Sequence, residues 1–120
     1  MNIDLGGHKG LRLWLQTLTD TVRSQGPDLT SRQLALLLRI YLKPQPHTVR
    51  GLAQALNVSK PVITRAIDTL STLGFVKRMR DDKDKRNVLI QRTVKGAVFL
   101  TDFAETMEKA NQEANMPENM

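Results

Sequence analysis

The stretch "LAQALNVSKPVITRAI", Leu52 to Ile67, decides how the rest of the chain is read. It fits two short helices that cross steeply around a tight turn. Such a crossing needs a small residue at the contact, and Ala53 supplies it. The turn needs a residue that tolerates the left-handed region, which Asn57 does best after glycine. Leu52, Leu56, Val58, Ile63 and Ala66 stand where apolar side chains would lock the pair. The assignment fixes the faces of the second helix. Ile63, Ala66, Ile67, Leu70 and Leu73 recur at steps of three and four, so they point to a core. Ser59, Lys60, Pro61, Thr64 and Arg65 are left outside, on the half that enters the major groove when a recognition helix docks. Arg65 suits guanine O6 and N7, and Thr64 suits a phosphate or a thymine methyl. Ser59 and Lys60 suit phosphates. The plainer alternative for 59–73 is an amphipathic helix with a solvated face.

Upstream, Leu11, Trp14 or Leu15, Leu18 and Val22 mark a helix over 9–24, stopped by Gly26-Pro27. Thr30 or Ser31 caps a second helix to about Leu42, with Leu34, Leu37, Leu38 and Tyr41 on its apolar side. Pro44 and Pro46 break the chain, and 49–56 forms a short third helix. Ser59 is the expected N-cap of the fourth, with Pro61 in its first turn and Gly74 at its C-terminal stop. Phe75–Met79 and Val88–Gln91 read as strands, joined at a hairpin tip by "DDKDKRN", Asp81 to Asn87. Thr93 caps a last helix over 94–113, along which Ala97, Leu100, Ala104, Met107 and Ala110 are spaced. The terminal 115–120 segment is expected to fray.

The result is a single α+β domain over 1–120, mostly helical. It is a winged helix-turn-helix, with the helix-turn-helix at 49–73 and a two-stranded β-hairpin wing at 75–92. A basic hairpin directly after the fourth helix is what favours the docking face over the solvated one, because such a tip reaches the minor groove beside the helix.

Charge supports this reading. The 120 residues carry a net charge of +6, which favours an anionic partner. Residues 59–96 hold ten basic and four acidic groups, while the acidic groups near the end stand apart. There is no cysteine, so thiol redox chemistry and zinc-thiolate sites are excluded. No apolar leader is seen at the N-terminus and no run approaches a membrane span, so a cytoplasmic location is the default expectation. His8 and His47 lie outside ligand spacing and are expected at the surface. Trp14 is expected to anchor a core or a dimer. The aspartates of the tip are interrupted by lysines and lack the glycine and glutamate of a calcium loop. No metal site, cofactor or enzyme constellation is expected.

"LSTLGFVKRMRDDKDKRNVLIQRTVKG", Leu70 to Gly96, resembles the wing of the MarR family, the multiple-antibiotic-resistance-type regulators. The features are Leu70, Gly74-Phe75-Val76, Arg78, Asp84-Lys85-Arg86, Val88-Leu89-Ile90, Thr93 and Gly96, with no gap. "VITRAIDTL", 62–70, resembles the recognition helix and "LTSRQLALL", 29–37, the second helix, so the similarity covers roughly 29–100. The resemblance implies a homodimeric transcriptional regulator, most simply a repressor, on a pseudo-palindromic DNA site. It implies that Arg86 or Lys85 inserts in the minor groove, where a narrow A·T-rich groove attracts a guanidinium. Asp84 would orient that arginine, and Arg78 and Arg80 would contact phosphates or neutralise the wing. Helices 9–24 and 94–113 would form the dimer. The chain departs from the pattern twice. Arg92 replaces a customary leucine, which suggests a wetter strand-to-helix junction or an added phosphate contact. Only one C-terminal helix fits where two are usual, so a pocket for a small-molecule effector is expected to be small or absent. The alternatives are a winged-helix protein-interaction module and a non-specific DNA architectural protein.

Overall fold

The computed structural model describes residues 3–115. Five helices and one hairpin follow in the order α1 (Lys9–Arg23), α2 (Ser31–Leu42), α3 (Val49–Leu56), α4 (Lys60–Thr72), β1 (Val76–Arg80), β2 (Val88–Arg92) and α5 (Val94–Ala114). The expected α+β winged helix-turn-helix is therefore present. The chain divides into two compact units: residues up to Asp28 with those from Leu100 onward, and Leu29–Phe99.

Local chemistry sets the boundaries in the Leu29–Phe99 unit. Thr30 begins α2 with a reciprocal capping box: its hydroxyl accepts from the Gln33 N–H at 3.1 Å, and its own N–H donates to Gln33 Oε1 at 2.9 Å. Thr48 caps α3 through the Gly51 N–H at 3.0 Å. Asn57 ends α3 in the left-handed conformation at φ 55°, and the Val58 N–H returns to the Ala53 carbonyl. Gly74 plays the same part after α4 at φ 81°, where the Phe75 N–H returns to Leu70. Thr93 Oγ1 accepts from the Gly96 N–H at the start of α5 and donates to the Gly74 carbonyl. Ser59 does occupy the N-cap of α4, but its side chain makes no capping bond.

The core of this unit is Leu36, Leu37, Ile40, Leu52, Ile63, Ile67, Leu70 and Ile90, all fully or almost fully buried. It corrects the expected face of α2. Leu36, Leu37 and Ile40 point inward, whereas Leu34, Leu38 and Tyr41 are only half-buried. The run Leu34–Leu38 is apolar on every side, so its period is not visible in the sequence. On α5 the expected Ala97 and Ala104 are exposed, while Gly96 and Ala110 are buried.

β1 and β2 pair antiparallel, with Val76 opposite Arg92, Arg78 opposite Ile90 and Arg80 opposite Val88. The loop before α3 adds a short third rung: Thr48 bridges Leu89, and the Ile90 N–H donates to the His47 carbonyl at 2.9 Å. That pairing draws His47 inward, contrary to its expected surface position. It is 6% exposed, with Nε2 at 3.1 Å from the Lys43 carbonyl. Arg92 is also explained. Its guanidinium donates to the Ile40 carbonyl at 2.8 Å and to that of Lys43 at 3.0 Å. A cation on the last carbonyls of α2 satisfies groups that the helix leaves unpaired and complements its dipole.

In the other unit, Thr17, Ala110 and Ala114 are buried, and Arg12 donates to the Ala114 carbonyl at 3.1 Å. Leu11, Trp14, Leu15, Leu18 and Val22 are all exposed along α1. Trp14 is therefore no core residue of the single chain. Among the described residues, no helix is long and apolar enough to cross a membrane.

Candidate nucleic-acid interface

The helix-turn-helix turns the predicted face of α4 outward. Ile63, Ala66, Ile67 and Leu70 are buried, and Leu73 is half-buried. Ser59, Lys60, Pro61, Thr64 and Arg65 are all exposed on the N-terminal half. Val62 is half-buried and lies with Arg65 on a groove of about 220 Å³, whose opposite wall is Thr30, Arg32 and Gln33 of the α2 entrance. The free Ser59 hydroxyl remains available to an external group.

Wing and helix are joined by Arg78. Its guanidinium pairs with Asp68 and reaches the Thr64 carbonyl at 3.5 Å. Arg78, on β1, thus spans to α4 and ties the wing to that helix. This partner was missed in the sequence, because Asp68 sits ten residues away and carries no local signal. Arg80 is exposed on the same strand.

The tip is built by two aspartate turns. Asp81 Oδ1 accepts from the Lys83 N–H at 2.9 Å, and the Asp81 N–H closes the hairpin on the Asn87 carbonyl at 3.1 Å. Asp81 therefore shapes the turn. Asp84 Oδ1 accepts from the Arg86 N–H at 3.1 Å and from Arg86 Nε at 3.2 Å. The Arg86 side chain is 91% exposed, so the carboxylate steers a guanidinium that projects from the tip. Lys85 beside it is also exposed.

The Arg86 side chain, and then its backbone N–H, hold the Asp84 carboxyl below its ordinary range. The pair is therefore complete at neutral pH and is lost only as pH falls through that depressed value. Arg86→Ala is expected to move the Asp84 titration upward towards the ordinary carboxylate value. Carboxyl-carbon NMR titration reads this directly, and an unmoved midpoint would remove Arg86 as the cause.

Lys60, Thr64 and Arg65 are exposed along the N-terminal half of α4, and Asp84, Lys85 and Arg86 sit at the tip of the hairpin. Arg50, at the start of α3, was absent from the sequence-derived set although it faces solvent near both. Its only sequence signal is a basic residue after a threonine cap.

The family model for the MarR family matches residues 29–88. Solved structures resemble the chain over most of its length. A transcriptional regulator of Thermotoga maritima is 23% identical with a TM-score of 0.72, covering 87% of this chain and 70% of that one. MarR is 25% identical with a TM-score of 0.67, covering 92% and 80%. MepR of S. aureus, in a complex with DNA, is 22% identical with a TM-score of 0.70, covering 88% and 82%.

Proposed function

The chain belongs to the MarR family, and from that premise we propose that it is a homodimeric repressor of transcription that binds a pseudo-palindromic duplex. The single observation that carries this reading is the pairing of two exposed elements. The polar N-terminal half of α4 suits the major groove, and Arg86, aimed by Asp84, suits the adjacent minor groove. MepR shares the fold and was solved in a complex with DNA, which supports duplex binding here.

The dimer is supported by α1. Leu11, Trp14, Leu15, Leu18 and Val22 form one apolar stripe at helical spacing and are exposed in the isolated chain. A second copy is the occupant that gives the DNA-reading elements two-fold symmetry.

Selection from a random duplex pool is expected to recover inverted half-sites about one helical turn apart. Affinity for the selected duplex should fall steeply with salt, as each neutralised phosphate contributes about 0.9 to the log–log slope. Single, unpaired half-sites would sink the dimer. Binding indifferent to salt would sink the DNA reading.

A further inference from the structure

A cleft of about 300 Å³ opens between the first turn of α3, the first turn of α4 and the base of the wing tip. Its lining includes Arg50 from α3, Lys60 from α4, and Arg86 and Asn87 from the wing. Among these residues there are three cations and no carboxylate. Arg86 has its partner in Asp84, whereas Arg50 and Lys60 have no ion pair among the described residues. Three converging cations with one internal counter-charge leave the cleft strongly positive, so it favours an anion. Its position narrows the choice. One wall is the helix proposed for the major groove and the other is the hairpin proposed for the minor groove. A duplex read in both grooves at once must lay the intervening sugar-phosphate strand between those walls.

We propose that this cleft seats the phosphodiester backbone separating the two grooves, and that Arg50 is its phosphate-binding residue. The inference rests on the DNA-binding reading above. Arg50 then carries no sequence information; it sets how far the wing and α4 straddle the strand.

The test uses the full chain and a mixed-sequence duplex of about 40 base pairs, on which binding is dominated by phosphate contacts. Arg50→Ala is expected to weaken binding by a similar factor on every sequence and to lower the salt slope by about 0.9 per bound chain. Arg50→Lys should restore most of the slope, and Arg50→Glu should weaken binding further. Unchanged thermal unfolding shows that each variant is folded. Phosphate ethylation interference on the pool-selected duplex supplies a second readout. One phosphate per half-site, between the major- and minor-groove contacts, should interfere for the wild type and not for Arg50→Ala. A wild-type slope and interference pattern in Arg50→Ala would overturn the assignment while leaving DNA binding intact. A loss confined to one base position would overturn it in favour of base reading. A wild-type chain that binds no duplex overturns both this inference and the reading beneath it.

Discussion

Gly96→Ala is expected to lower folding stability by about 2–5 kcal/mol, combining overpacking with the loss of buried hydrogen bonds. A methyl group there would run into the Tyr41 hydroxyl and the Phe75 carbonyl oxygen, and would stand 2.8 Å from Tyr41 Cζ. Neither neighbour yields easily. The Tyr41 hydroxyl accepts from the Thr93 N–H at 2.9 Å, and it lies 2.7 Å from the Phe75 carbonyl and 3.0 Å from that of Thr93. It therefore ties α2 to the residue before β1 and to the cap of α5. Phe75 is itself buried and stacked on Phe99 with ring centroids 4.4 Å apart. Making room for the methyl means giving up these bonds or moving the root of the wing. Equilibrium denaturation measures the cost, and a change under about 0.5 kcal/mol, as for an ordinary surface substitution, would show that the close approach is not real. Tyr41→Phe leaves the Thr93 N–H unpaired. Because the two sites share one contact, the double variant should cost less than the two single changes added together.

What was legible in the sequence was local. Thr30, Asn57, Gly74 and Thr93 announce helix ends because capping and left-handed turns act within a few residues. The core face of α4 was legible because its polar and apolar positions are cleanly separated. By contrast, Leu34–Leu38 presents apolar residues on all sides, and only packing selects Leu36, Leu37 and Ile40. The remaining misses are long-range pairings. Arg92 caps a helix about fifty positions earlier, Arg78 finds Asp68 across the helix–strand junction, and His47 is buried by pairing with β2. At the candidate interface, the aspartate that aims Arg86 was readable because it is two residues away. Arg50 was not, since only the fold brings it to the same cleft as Lys60 and Arg86.

Arg65→Ala and Arg86→Ala are each expected to weaken DNA binding by about 1–3 kcal/mol, but with different selectivity. Arg65 is exposed on the outward half of α4, where a guanidinium suits guanine O6 and N7. Its removal should relax preference at one position of each half-site. Arg86 projects from the wing tip, and on the proposed docking it would meet a minor groove whose width and potential favour A·T pairs. Its removal should flatten the preference for A·T pairs flanking the half-site and leave the Arg65 position sharp. Selection by each variant from the same random pool separates the two effects. A uniform loss in Arg65→Ala would make that residue a phosphate contact. Asp84 supplies a control whose sign opposes simple charge counting. Removing a carboxylate from a surface proposed to face DNA should favour binding by reducing repulsion. Yet Asp84 accepts from both the backbone and the side chain of Arg86, and its loss frees the guanidinium to sample other directions. The orienting role therefore requires Asp84→Ala to bind more weakly than wild type and to lose part of the same flanking preference. Tighter binding would mean that repulsion dominates and that Arg86 finds the groove without guidance.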